Sequence, residues 1–365
     1  MSPPPRRARA VDEADIRERP NPRGSRRRTK ERPDHGDATL GWVTTIDRGR
    51  YTCTVPVPGI VTSQHQATAD DANGDDVDAD ADAEDRPPIT VTAVRARELR
   101  PSAVTVGDVV SLAGEVSGAE GSLARLVRVQ PRRSALRRTA DDTDPVERII
   151  VANADQVCVV VAAADPAPRP RLIDRALVAA WDAGIEALLI VTKTDLADPG
   201  PLVAGYADVA LRAVTLSTHD EDGVAAALAV LRHRVTALVG PSGVGKSTLV
   251  NALSAGAARR TGVVNTVTGR GRHTSVSAIA LPLDGGGWVV DTPGMRTFGL
   301  AHVGPDRLLA AFDDLAPGVE DCPRGCDHDN PECALDAWAA RGGTGGGGPA
   351  RLDSFRRLLV ALREE

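Results

Sequence analysis

The run VTALVGPSGVGKSTLVNALS, starting at Val235, holds the residues whose types and spacing speak most directly of chemistry. Gly240, Gly243 and Gly245 let a backbone wrap closely, so that successive N–H groups and the following helix N-terminus converge on an anion. Pro241, Ser242 and Val244 complete the loop between them. Lys246 adds a point charge suited to the outer phosphates of a nucleotide, the Ser247 hydroxyl suits magnesium, and Thr248 continues the pattern. Together they read as a phosphate-binding loop. Such a loop normally follows the first strand of its domain, yet here it lies two thirds of the way along 365 residues.

A base-reading motif precedes it. Thr192-Lys193-Thr194-Asp195 ends an apolar run, and an aspartate there accepts hydrogen bonds from the ring N–H and exocyclic amine of guanine, which adenine does not donate in that arrangement. Lys193 would lie along the base, and Ser217, within LST, would offer a backbone N–H to guanine O6. After the loop, Asp291-Thr292-Pro293-Gly294 follows an apolar strand. Its acid would hold magnesium through water, and Gly294 would let the backbone face the γ-phosphate. Between these motifs, TGRGRHTS carries Thr274, whose hydroxyl would reach magnesium when triphosphate is bound. Only three of the 44 basic residues are lysines, and two of them, Lys193 and Lys246, fall inside these motifs. A compact ammonium is retained where a planar guanidinium would not substitute.

Water activation is less explicit. Met295 stands where many GTPases place a water-orienting glutamine, and a thioether cannot do that task. His273, beside Thr274, is the candidate catalytic group, with Lys246 and Thr274 stabilising the transferring phosphate. Elsewhere, Cys322, Cys326, His328 and Cys333 crowd into twelve residues. Three thiolates and an imidazole suit one structural, tetrahedral zinc per chain. Cys53 and Cys158 sit in apolar runs and read as inert core thiols.

The elements that must position these groups follow from pattern. Residues 1–37 are rich in Pro and Arg without periodicity and read as a disordered basic arm, either attracting RNA or merely soluble. Residues 38–135 hold short alternating runs broken by Gly, Pro and Asp, as in a small all-β barrel. Within it, residues 69–86 form an acidic loop insertion. Nine acids fall in 70–85, so the net charge of −6 becomes +3 when that block is set aside. The segment ALRRTADDTDPVERIIVANA reads as a link. Over 148–302, buried-type strands alternate with amphipathic helices, which argues for a mostly parallel sheet covered on both faces. Residues 303–365 hold the cysteine cluster and C-terminal helices, too small for a core of their own.

With these motifs quoted, GPSGVGKST, GRGRHTS, DTPG, TKTD and LST resemble GTPase motifs in rotated order, so the α/β P-loop domain is expected to be circularly permuted. Joined to an N-terminal barrel and a C-terminal cysteine knuckle, the pattern resembles the bacterial ribosome small subunit-dependent GTPase A family, from about Thr39 to the end. That resemblance implies an OB-fold barrel, a small helical zinc-binding domain and GTP hydrolysis with magnesium. It also implies stimulation by the 30S subunit, late action in that subunit's maturation, and contact of both flanking domains with 16S rRNA. It favours His273 as well. The cysteine spacing departs from the family's by about one residue per gap, and neither the basic arm nor the acidic insertion belongs to its core.

Two other readings stay open: a related permuted GTPase of large-subunit assembly, and an RNA-binding adaptor with nucleotide as a structural ligand. The barrel region holds only Trp42 and Tyr51 as aromatics, so phosphate contacts by Arg95, Arg97, Arg125 and Arg128 explain RNA binding better than base stacking. With no apolar span or secretory signal, a cytoplasmic monomer without a membrane partner is expected.

Overall fold

The computed structural model describes residues 37–59, 61, 88–97, 99, 104–139, 147–209, 211–261, 278–292, 300, 303–310, 312, 314–342 and 348–363. The basic arm, the acidic insertion, the TGRGRHTS loop with His273 and Thr274, and Gly294 lie outside these residues.

Five short strands open the described chain: β1 (Thr39–Asp47), β2 (Arg50–Val55), β3 (Ile89–Arg95), β4 (Val109–Gly114) and β5 (Ala124–Val129). They pair in the order β1-β2-β3-β5-β4, and β4 returns to β1, with Trp42 opposite Val109, so the sheet closes into an OB-like barrel. Closure needs sharp bends, and register shifts at Val43/Thr45 and Ser111/Leu112 supply them. Alternate residues point inward: Val43, Cys53, Val91, Val110, Leu112 and Leu126 are buried in one cluster. Burial pushes the Cys53 thiol up to about 12, so it stays protonated and inert.

What composition marks only as a link contains a two-stranded ladder, β6 (Ala135–Arg138) with β7 (Arg148–Ala152). Its far end docks on the barrel. Trp42 Nε1 and Asn153 Nδ2 both donate to the Gly107 carbonyl, at 2.9 and 2.8 Å, and Ala152 N donates to Val106 O at 3.0 Å.

The α/β part follows in chain order: β8 (Gln156–Ala162), α1 (Pro170–Asp182), β9 (Glu186–Thr192), α2 (Gly200–Ala204), β10 (Arg212–Thr215), α3 (Glu221–Leu231), β11 (Val235–Val239), α4 (Lys246–Thr261), β12 (Ile279–Pro282) and β13 (Trp288–Asp291). The strands lie in the order β10-β9-β8-β11-β13-β12. All but β12 are parallel to their neighbours. Every residue of β8 is buried, as expected for a central strand covered on both faces. The period of two divides it: Val157, Val159 and Val161 share a core with Ile173 and Leu177 of α1. Cys158, Val160 and Ala162 share the other with Leu231 of α3 and Leu249 and Leu253 of α4. Each fully buried aliphatic side chain contributes about 1.5–3 kcal/mol, so both faces are strongly specified.

This order explains the late loop. β11, which precedes the phosphate-binding loop, lies centrally between β8 and β13, but the chain enters the sheet at β8 and reaches β11 only through α3. The domain is circularly permuted.

Two further features unite the parts. Strand β1 pairs with β12, with Thr45 opposite Ile279, so barrel and α/β sheet are one 11-stranded sheet. Trp42 meets Trp288 edge-on, with centroids 4.8 Å apart. After the α/β part come α5 (Pro305–Leu309), a 3-10 turn at Ala316–Asp321, α6 (Ala334–Ala340) and α7 (Gly348–Arg363). This segment has no separate core: Phe312 packs edge-on between Trp181 of α1 and Phe355 of α7 at 5.8 and 5.3 Å, within the cluster that includes α1.

Candidate nucleotide site and cysteine cluster

Parallel strands end on one edge, so motifs at the C-terminal ends of β9, β10, β11 and β13 converge there without any further device. Gly240 follows β11 where it passes the carbonyl of Val160 in β8; a Cβ at that position would meet Val160 O at 2.2 Å. Gly243 and Gly245 take positive φ, 85° and 94°, in the turn ahead of α4, a conformation that favours glycine. Val244 is buried and anchors the loop in the core. Ser242, Ser247 and Thr248 remain exposed on its open side. A Gly240→Ala substitution is expected to cost about 1–3 kcal/mol through this overlap and to weaken nucleotide binding. Denaturant melts and nucleotide titration on the same preparation check both effects.

Lys246 points back into the loop, donating to Gly240 O at 2.7 Å and Pro241 O at 3.1 Å. Asp291, at the end of β13, has a buried Oδ1 without a hydrogen-bond partner. Burial pushes the Asp291 carboxyl up and the Lys246 ammonium down, and the attraction between the two charges opposes both shifts. The unsatisfied buried Asp291 oxygen, the loop lysine it attracts and the exposed Ser247 hydroxyl form a donor set of the kind that suits hydrated magnesium with phosphate. Thr292 Oγ1 donates to Leu238 O at 2.6 Å, tying β13 to the loop strand.

The TKTD segment joins the same edge. The Thr192 hydroxyl turns inward and bonds the carbonyls of Val161 and Val244, so its side chain braces the phosphate-binding loop. Lys193 adopts positive φ, 56°, and its ammonium donates to the Asp165 carbonyl. Pro166 lies beside Gly243, so the β8–α1 loop forms a wall between the two motifs. The sequence reading missed this loop, and only its Asp-Pro-Ala-Pro composition hints at it. Thr194 N bonds Leu216 O at 3.4 Å, Asp195 is exposed at the rim, and Ser217 is mostly buried in the turn beneath.

In the C-terminal segment, Cys322, Cys326, His328 and Cys333 bring one donor atom each to within 4.8 Å of one another. Cys322 Sγ lies 3.9 Å from Cys333 Sγ and 3.8 Å from His328 Nδ1. Tetrahedral zinc with bonds of about 2.3 Å would separate its sulfurs by about 3.8 Å, so the donors fit. Backbone N–H of His328 and the Asn330 amide approach Cys326 Sγ at 3.4 and 3.5 Å, the outer hydrogen bonds such thiolates use.

Comparisons with known proteins agree with this geometry. A family model described as RsgA GTPase matches residues 129–301. The "Small ribosomal subunit biogenesis GTPase RsgA" of Gemmatimonas aurantiaca is 38% identical over 267 residues, covering 72% of this chain and 84% of the relative. The protein of that name from Pseudomonas aeruginosa is 36% identical over 272 residues, covering 72% and 77%. Among solved structures, YjeQ from Thermotoga maritima superposes with a TM-score of 0.58 at 22% identity over 90% of this chain and 99% of that one. YloQ, described as a circularly permuted GTPase, gives 0.56 at 19% over 89% and 95%. Motif, permuted sheet and relatives thus agree: the chain belongs to the RsgA GTPase family.

Proposed function

We propose that this GTPase acts in assembly of the small ribosomal subunit, binding the 30S particle in its GTP state and leaving it on hydrolysis. The observation that carries the reading is the orphaned Asp291 oxygen facing Lys246, at the same edge as the guanine-type TKTD motif. It comes in a chain whose relatives are named small ribosomal subunit biogenesis GTPases. The phosphate-binding loop would hold GTP, with Ser247 and Asp291 supporting magnesium and Asp195 reading the base. The phosphate loop residues of the sequence reading, Gly240 to Thr248, serve this role through backbone N–H groups. Thr274, Gly294 and His273 complete the proposed site from outside the described residues. His273 would hold the attacking water.

RNA contact fits the barrel's charge better than its aromatics. Trp42 and Tyr51 are both buried and offer no stacking face, whereas Arg95, Arg97, Arg125 and Arg128 are exposed. Arg95 ends β3, beside the strand β5 that carries Arg125 and Arg128. Such a group would contact 16S rRNA phosphates, with salt-sensitive affinity. Among the described residues no helix is long and apolar enough to cross a membrane. A monomer in the cytoplasm is the matching proposal.

Turnover of GTP measured alone, with purified 30S and with 50S particles tests the reading. The expected result is stimulation by 30S only; stimulation by 50S, or none, overturns it. His273→Ala is expected to keep nucleotide and 30S affinity while losing the stimulated rate by about 10²–10⁴-fold, the usual contribution of a positioned acid–base group. Full stimulation in that variant would remove His273 from the mechanism.

A further inference from the structure

We propose that the C-terminal helix α7 is a positioning element for the guanine-reading segment, acting through Arg351 and Arg357; this rests on the assignment of Asp195 as base reader. The chain leaves β9 at Thr192, passes Asp195, forms α2 and reaches β10 through residues 205–209. Its near end is fixed to the phosphate-binding loop through Thr192 and Val244. The middle is held lightly: α2 has five residues, none fully buried, and only Leu202 and Val203 pack partly against the core.

The far end is held from α7. Arg357 Nη1 donates to Gly205 O at 2.9 Å and Arg351 Nη1 donates to Asp208 O at 2.6 Å. Between these carbonyls, Tyr206 lies under the Arg357 guanidinium, whose carbon sits 4.7 Å from the ring centroid, and the Tyr206 hydroxyl donates to Pro170 O at 3.2 Å. The Arg351 fork is itself rigid. It makes bonds of 3.1 and 3.2 Å to the Asp314 carboxylate and stacks on Phe312 at 4.3 Å. Helix α7 is in turn fixed to α1 by Arg175, which donates to Ala361 O at 2.8 Å, and through Phe312, whose ring meets both Phe355 and Trp181 of α1.

Arg357 also faces Asp174 of α1, a buried carboxylate; Nε and Oδ1 lie 3.5 Å apart and neither has a hydrogen-bond partner. The pair holds Arg357 over Tyr206 by charge. A segment with a braced start, a middle packed only through Leu202 and Val203, and an end gripped by two guanidinium groups takes much of its position from the grip. Guanine recognition therefore depends on a helix that follows the cysteine cluster in the chain.

The test uses the full chain and two probes, GDP and IDP. Hypoxanthine lacks the exocyclic amine, so IDP keeps one base hydrogen bond to Asp195 where GDP makes two. A displaced Asp195 loses the two-point geometry first, whereas partial unfolding lowers both affinities by one factor. The variant Arg357→Leu with Asp174→Asn removes both charges together, so no buried carboxylate is left alone. Calorimetric titration is expected to show GDP weakened roughly tenfold and IDP within about twofold. Equal losses for both nucleotides, or no loss, overturn the proposal. If the double variant does not fold, Arg351→Lys, which keeps the charge near Asp314 but lacks the fork, is judged by the same ratio. Asp195→Asn is measured alongside: if it leaves the GDP preference intact, the base-reader assignment fails, an outcome distinct from failure of the α7 variants.

Discussion

Asp195→Asn is expected to weaken GTP on the order of 10³-fold and to make xanthosine triphosphate the better ligand. The carboxylate accepts from both the ring N–H and the exocyclic amine of guanine, and hydrogen bonds to a charged group contribute about 1.5–3 kcal/mol each. An asparagine keeps one acceptor and turns the other position into a donor, which meets the amine of guanine donor to donor. Xanthine carries a carbonyl there and accepts that donor. Asp195 stands exposed at the rim, with its backbone placed by Thr192, Lys193 and Thr194, so the change alters the contact without disturbing the core. Competition of both triphosphates against a fluorescent guanine nucleotide checks it. Unchanged GTP affinity would remove Asp195 from base recognition.

The second large effect concerns the cysteine cluster. Elemental analysis of protein purified without chelator is expected to find one zinc per chain, and Cys322→Ser with Cys333→Ser is expected to find none. Structural zinc supplies an apparent ~10–16 kcal/mol in isolated fingers, far more than a twelve-residue loop could obtain from packing. Loss of the metal should therefore unfold the loop locally. It should not detach α7, because Phe355 and Leu358 are buried in the core shared with α1 and Arg175 holds Ala361. Hydrogen exchange separates these outcomes: amides at 322–333 should lose protection while those of α7 keep it. Protein with no zinc, or with unchanged protection in the double variant, would reject the site.

The motifs were legible because each packs its chemistry into a few adjacent residues. Gly240, Gly243, Gly245, Lys246 and Ser247 announce a phosphate loop by their own backbone and charge requirements, and the late position of that loop announced the permutation. Four donors within twelve residues announced the cluster for the same reason. Strand and helix texture gave the barrel and the parallel sheet, since periodicity is local. The ladder β6–β7 escaped, because Pro, Asp and Arg around it break the alternation that marks a strand.

Everything that depended on residues far apart in the chain was decided by tertiary structure. The pairing of Thr45 with Ile279 joins segments separated by most of the chain, and no local pattern encodes which strand edge a barrel will meet. The Thr192 hydroxyl reads in sequence only as part of a nucleotide motif; its bonds to Val161 and Val244, which brace the phosphate-binding loop, came from the fold. Arg351 and Arg357 looked like any of the many arginines in this sequence; only packing of α7 against α1 brought them to the carbonyls of Asp208 and Gly205. Sequence alone determined the chemistry of each short motif, because that chemistry is carried by neighbouring atoms. Which motif touches which, and which arginine holds a loop rather than water, was fixed only when burial brought distant segments together.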